Sequence, residues 1–142
     1  MTAQLRHFAI CVRDLDASAR FYAEVFGFRR AGEETLPIGS AVYMSDGTIN
    51  LALLKFSGDR GAGVEDAVNF VGSNHFGIQV DDLEEYGRRI EAAGGQFFFD
   101  LGDERKGNFE RKFKDPDGIV FDISHHGWLG TDSRREPGGD AG

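Results

Sequence analysis

Apolar and polar positions follow the same rhythm twice along this chain. Arg6-His7-Phe8-Ala9-Ile10-Cys11-Val12-Arg13-Asp14-Leu15 is matched by Asn74-His75-Phe76-Gly77-Ile78-Gln79-Val80-Asp81-Asp82-Leu83. A shift of 68 residues superposes His, Phe, Ile, Val, Asp and Leu. An internal repeat constrains the architecture before any other feature does. In the first copy Phe8, Ile10 and Val12 share one face of a predicted strand, and His7, Ala9 and Cys11 share the other. The second copy divides likewise, with Phe76, Ile78 and Val80 opposite His75, Gly77 and Gln79. The greasy face is expected to meet a helix. The small polar face suits the wall of a cavity.

The remaining elements follow from the same reading. Asp14 or Asp16 caps a helix on which Leu15, Ala19, Tyr22 and Phe26 recur at helical spacing, and Gly27 ends it. Strands are predicted over 28–34, 40–45 and 48–56, with Asp46-Gly47 as a hairpin turn. Asp82 and Glu85 have the spacing of a capping box at the start of a second helix, whose buried side carries Leu83, Tyr86, Ile90 and Ala93. Gly94-Gly95 stops it. Further strands are predicted over 96–101, 109–114 and 119–124, the last two joined by the turn Asp115-Pro116-Asp117-Gly118. Each copy is therefore β-α-β-β-β, at about 5–56 and 74–126, with 57–73 as linker. The fold class is α+β: two such modules in a curved mixed sheet around a central cavity, helices outside. Residues 1–128 are expected to form one domain. The Gly, Pro and charge content from Leu129 to Gly142 predicts a disordered tail.

Composition narrows the function classes. At 142 residues and 40% hydrophobic, with thirteen Phe, the chain can build a real core. The net charge of −8 and the scatter of Lys and Arg argue against a nucleic-acid partner. No apolar run is long enough for a membrane span, and no signal peptide is read at the N-terminus. The single cysteine, Cys11, has no partner within the chain, so a reducing, cytoplasmic setting is expected.

Paired β-α-β-β-β units, a His on each first strand and the Asp115-Pro116-Asp117-Gly118 turn before the last strand resemble the vicinal oxygen chelate superfamily. That group includes glyoxalase I, extradiol dioxygenases, methylmalonyl-CoA epimerase, and the fosfomycin- and bleomycin-resistance proteins. The resemblance covers roughly residues 5–126. It implies a divalent metal ion, with Fe, Zn, Mn, Ni and Co all open, held by up to four side chains on the first and last strands of each unit. Carried onto this chain, these are His7, Asn50, His75 and Asp122. The chain departs from the usual pattern in having Asp at 122 where Glu is common, and Asn at 50 where glyoxalase I has Glu. From the residues themselves, two imidazoles and one carboxylate with open positions are a facial triad suited to non-haem Fe(II) and to other divalent metals.

Three functions stay open at this point. The first is a glyoxalase-like lyase, isomerase or epimerase acting on a small substrate that chelates the metal through vicinal oxygens. The second is an extradiol-type Fe(II) dioxygenase, with Tyr43 and His126 as the available accessory groups. The third is a metal-free small-molecule binding or antibiotic-resistance protein. The metal ligands expected are His7, His75 and Asp122; Asn50 is either a fourth ligand or a catalytic neighbour. His126 is a candidate acid–base group because alternation from Asp122 puts it on the same side, if the last strand continues that far. Gln79 and Glu110 are placed near the cavity, Trp128 at its end, and Lys106, Arg111, Lys112 and Lys114 either on a solvated face or as an attractor for an anionic substrate. A homodimer is expected by resemblance, with the site formed within one chain or across two.

Overall fold

The structure is a computed structural model, and it describes residues 3–136. The first module contains β1 (Gln4–Cys11), α1 (Leu15–Phe26), β2 (Arg29–Leu36), β3 (Gly39–Ser45) and β4 (Asn50–Phe56); the second contains β5 (Gly72–Gln79), α2 (Leu83–Ala92), β6 (Gln96–Leu101), β7 (Glu110–Lys114) and β8 (Val120–Ser124). All eight strands share one sheet in the order β2-β3-β4-β1-β5-β8-β7-β6. The modules join where β1 runs antiparallel to β5, and each first strand also pairs in parallel with its module's last strand, β1 with β4 and β5 with β8. The sheet curls into a cup with both helices on its convex side. The predicted elements are all present, with ends within a few residues of those read from the sequence.

Local chemistry sets the element ends. Asp14 caps α1 by accepting from the Ala17 N–H, and Gly27 closes it at φ 72°, a conformation that costs glycine little. Asp82 caps α2 in the same way, accepting from the Glu85 N–H. Ala19 of α1 packs on Val42, Met44 and Leu53, flanked by Ile10, Val12 and Leu15. Leu83, Tyr86 and Ile90 of α2 pack against Val80, Phe113, Phe121 and Ile123. A fully buried Leu such as Leu53 contributes about 1.5–3 kcal/mol, so these two clusters fix the helices to the sheet.

Two expectations change. The cavity-side residues of β1 are the more buried: His7, Ala9 and Cys11 are all under 5% exposed, while Phe8 on the helix side is 41% exposed. Phe8 belongs to neither helix cluster; it lies opposite Phe76 where β1 meets β5. The tail is also not loose as far as it is described. Trp128 and Thr131 are buried, the Ser45 hydroxyl donates to the Gly130 carbonyl at 2.8 Å, and the Ser133 hydroxyl donates to Gln79 Oε1 at 2.6 Å. Local composition predicted disorder there, and burial of one large aromatic with paired polar groups overrides it. The rest of the predicted tail, 137–142, lies outside the described residues. The linker folds down as well: Ala62 and Ala67 join Cys11 and Phe56 in a small core.

The rim of the cup is drawn together by a contact between modules, in which Asn108 Nδ2 donates to Glu34 Oε2 at 2.7 Å. At its base the tail meets β1 and β5. A Cβ on Gly77 would stand 2.5 Å from Trp128 Cζ2 and 2.9 Å from His7 Cβ. Gly77→Ala is therefore expected to displace the Trp128 ring and destabilise the fold by about 1–3 kcal/mol, as overpacking does. Chemical denaturation checks this; a variant as stable as the parent would contradict it.

Candidate metal centre

The register of the central strands builds the site. His7 lies directly opposite Asn50 on β4 and Gly77 on β5; Gly77 in turn lies opposite Asp122 on β8. Asp122 is opposite Lys112 on β7. The side chains of His7, His75, Glu110 and Asp122 each offer one ligand atom, and these atoms lie within 4.8 Å of one another. Both modules contribute, so a single chain brings the whole set together.

Distances show a tight group within this set. His7 Nε2 and His75 Nε2 are 3.2 Å apart. Asp122 Oδ2 is 3.2 Å from His75 Nε2 and 3.7 Å from His7 Nε2. The other Asp122 oxygen, Oδ1, accepts from the Lys112 ammonium at 2.7 Å. Oδ2 is a buried carboxylate oxygen with no hydrogen-bond partner among the described residues. Such an atom is costly to bury unless a cation meets it. The donor set fits a divalent metal ion: two imidazole nitrogens and a carboxylate oxygen converge on one point, with the remaining side of the group facing a cavity.

Burial sets the electrostatics. Burial is the main cause that lowers His7 to about 4, with Glu110 and Asp122 opposing it and His75 reinforcing it. Burial and then the Lys112 charge hold His75 well below its usual value. Both imidazoles are thus neutral at neutral pH, as metal ligation requires. Burial, with the Asp122 charge behind it, pushes Glu110 up to about 7, against the pull of Lys112. Burial is the largest influence on Asp122 and would raise it, but the Lys112 charge and hydrogen bonds with Glu110 and Lys112 together hold its carboxyl below the ordinary range.

The cavity above this group has a volume of about 60 Å³; His7, His75, Glu110 and Lys112 form its polar part, and Tyr43, Leu54 and Phe56 are among its other walls. The Tyr43 hydroxyl donates to Glu34 Oε1 at 3.0 Å.

The sequence-predicted residues divide clearly. His7, His75 and Asp122 converge, and Glu110 joins them. Asn50 is turned toward His7: its Oδ1 lies 2.8 Å from His7 Nδ1, and its Nδ2 donates to the Leu129 carbonyl at 2.9 Å. His126 does not reach the cavity. β8 ends at Ser124, and Gly127 at φ 82° turns the chain, so the alternation that placed His126 beside Asp122 stops short. His126 instead has Nδ1 3.0 Å from the Arg135 carbonyl and faces a surface hollow with Asp81 and Glu84. Gln79 is buried but serves the tail, donating to the His125 and Ser133 carbonyls. Trp128 stacks on His7, ring centres 4.8 Å apart and planes within 4°. Cys11 is core filling, its thiol pushed up to about 11 by burial. The basic group is not one patch. Lys112 is buried in the site, whereas Arg111, on the opposite face of β7, pairs with Asp100 and Glu84. Two residues were not foreseen. Glu34 reaches the cavity from β2, and Asn74 places its Oδ1 2.6 Å from His75 Nδ1. Neither has a distinguishing pattern in the sequence.

The family model described as glyoxalase/bleomycin resistance protein/dioxygenase superfamily matches residues 4–123. Among curated proteins, the chain is 27% identical over 130 residues to an Arabidopsis thaliana lactoylglutathione lyase, covering 85% of this chain and 44% of that protein. It thus spans less than half the length of the curated relatives it matches. Among solved structures, a hypothetical protein from Bacillus halodurans C-125 superposes with a TM-score of 0.71 at 18% identity, over 87% of this chain and 94% of the other. A variant of Streptomyces coelicolor methylmalonyl-CoA epimerase, in complex with 2-nitronate-propionyl-CoA, gives a TM-score of 0.70 at 18% identity, over 84% and 94%. These structural likenesses establish the fold.

The histidines predict how metal-free protein responds to acid. A group whose folded pKa is depressed contributes stability above its unfolded pKa, and loses it as pH falls toward the folded value. For His7 that window runs from 6.5 down to about 4, and His75 acts in the same direction. Glu110, raised from 4.5 to about 7, acts oppositely across the whole interval from pH 7 to pH 5, and two histidines outweigh one carboxylate. Urea midpoints of the metal-free chain are expected to be lower at pH 5 than at pH 7; an equal or higher midpoint at pH 5 would contradict the buried neutral pair.

Proposed function

Because this chain belongs to the glyoxalase/bleomycin resistance protein/dioxygenase superfamily, we propose that it is a metal-dependent lyase, isomerase or epimerase acting on a small substrate with two vicinal oxygens. The observation that carries this reading is the convergence of His7, His75 and Asp122 on one point, with Asp122 Oδ2 buried and without a hydrogen-bond partner among the described residues. A protein that only sequesters a ligand in its cavity has no use for that arrangement. Bound there, a divalent metal ion would act as a Lewis acid on a chelating oxygen and favour loss of a proton from the adjacent carbon.

The chain's own residues divide the remaining work. His7, His75 and Asp122 are the ligands. Lys112 occupies Asp122 Oδ1 and so leaves only Oδ2 for the ion. Its ammonium, lining the cavity, also favours a substrate that develops negative charge. Glu110 is the proton-transfer group. Its carboxylate lies on the cavity wall beside the ligand atoms, within 3.7 Å of the Lys112 ammonium and in hydrogen-bonding contact with Asp122. This assigns to β7 the base that an acidic residue at position 50 would supply, since Asn50 is neutral and engaged with His7. The names of relatives suggest two substrate classes, glutathione thiol adducts and acyl-CoA thioesters. A homodimer would carry two complete sites.

A second reading rests on the donor set, because two histidines and one carboxylate also suit Fe(II) and dioxygen chemistry. One experiment separates the two. Metal-loaded protein is incubated in deuterated water with thioesters and α-hydroxycarbonyl compounds, and exchange at the α-carbon is followed by mass. Metal-dependent exchange is expected, with Glu110→Gln slowing it about 10²–10⁴-fold, the usual worth of a general base, while metal content is unchanged. Absence of exchange, together with oxygen uptake on catechols by the Fe(II)-loaded protein, would replace this reading with the dioxygenase.

A further inference from the structure

Both histidines are held by the same device, made from different parts of the chain. Asn50 Oδ1 is 2.8 Å from His7 Nδ1, and Asn50 Nδ2 donates to the Leu129 carbonyl at 2.9 Å. Asn74 Oδ1 is 2.6 Å from His75 Nδ1, and Asn74 Nδ2 donates to the Ala62 carbonyl at 3.0 Å. An amide oxygen accepts and an amide nitrogen donates. Once Nδ2 is committed to a carbonyl, Oδ1 is the atom presented to the ring. Each imidazole must then carry its proton on Nδ1, leaving a bare lone pair on Nε2. The two Nε2 atoms face each other at 3.2 Å with Asp122 Oδ2 beside them. Three acceptor atoms then converge, with the Glu110 carboxyl beside them, and a cation satisfies all three.

The repeat does not explain the arrangement. Shifted by 68 residues, Asn74 corresponds to Arg6, so the two asparagines are not equivalent positions. Asn50 reaches His7 from the neighbouring strand, directly opposite in register. Asn74 precedes its histidine in sequence, and in a regular strand would point to the other face. It reaches His75 Nδ1 because β5 slips there. Ala9 pairs with His75 and Ile10 with Ser73, so Asn74 is the extra residue of a bulge, and bulges re-aim side chains. The carbonyls that fix the amides lie outside the repeats, Ala62 in the linker and Leu129 in the tail.

We infer that Asn50 and Asn74 are paired positioning residues of the metal centre, each fixing its histidine in the Nδ1–H tautomer through an amide anchored on the linker or the tail. The inference rests on the metal-centre reading above, but the tautomers are a property of the metal-free chain and are measured without any ion. Outer partners of this kind are typically worth 10–100-fold in metal affinity. Replacing either asparagine by leucine keeps the approximate volume and removes the acceptor. Aspartate keeps an acceptor for Nδ1–H and loses the donor to the carbonyl.

The test is long-range ¹H–¹⁵N correlation of the imidazoles in the full, metal-free chain at neutral pH, beside calorimetric titration with Zn²⁺. The parent is expected to show Nδ1–H at both His7 and His75. Asn50→Leu should release the tautomer of His7 alone, and Asn74→Leu that of His75 alone, each weakening Zn²⁺ binding about 10–100-fold; the Asp variants should keep the Nδ1–H form. An Nε2–H form in the parent, or Leu variants with tautomers and affinity unchanged, would overturn the inference. If a Leu variant does not fold, the parent spectrum still decides the tautomers. A parent with both Nδ1–H tautomers and no Zn²⁺ uptake would uphold the positioning and instead reject the metal reading.

Discussion

The pairing of β1 with β5 is the constraint on which the rest of the molecule depends. It joins the two modules into one sheet and sets His7 and His75 side by side. Because side chains alternate along a strand, a slip of one residue would send a histidine to the helix side. The pairing contains two irregularities, at Arg6 and at Asn74, each just before a histidine. At these points the strand departs from regular alternation. Arg6 reaches Ser133 in the tail, and Asn74 reaches the ring of His75. Gly77, opposite His7, leaves room for Trp128 to stack on that histidine. Register, bulge and close approach thus act together to aim two imidazoles at one point.

The charges around that point explain why the arrangement is stable only as a set. Asp122 and Lys112 are fully buried and pair at 2.7 Å. A buried ion pair repays its desolvation only when the remaining lone pairs are satisfied. Here one carboxylate oxygen is satisfied by Lys112 and the other lies beside the Nε2 atoms of His7 and His75. Glu110 adds a second carboxyl group that burial and Asp122 make reluctant to ionise, so its protonation responds to whatever charge enters the cavity. The neutral imidazoles complete a site short of positive charge, in a sheet whose outer face is held by two apolar clusters.

Much of this was legible in the sequence because it rests on periodicity. The repeat gave two modules, the alternation in each first strand separated the histidine face from the helix face, and Asp14, Gly27 and Asp82 marked helix ends. The repeat singled out His7 and His75, and the resemblance to the superfamily added Asp122 on the last strand. What the sequence could not supply depends on cross-strand register or on packing between distant segments. Asn50 stands where the resemblance places a ligand, and its engagement with the Leu129 carbonyl, far along the chain, has no local signal. Asn74 acts through a bulge that no local pattern announces. Lys112 read as part of a scattered basic group, and only its place opposite Asp122 makes it internal. His126 lies away from the cavity because β8 ends at Ser124, two residues before it, and Gly127 then turns the chain; the tail through Glu136 is ordered by burial of Trp128 and by paired polar groups, against what its composition predicts.

The central claim is that a single chain holds one divalent cation through His7, His75 and Asp122. Its most direct test is elemental analysis of the chain purified without chelators or an affinity tag, beside Asp122→Asn and His75→Ala. The account predicts near-stoichiometric metal, about one ion per chain, and its loss in both variants while the fold is retained. A parent chain that carries no metal and takes none up on reconstitution, or variants that hold it as well as the parent, would contradict the claim.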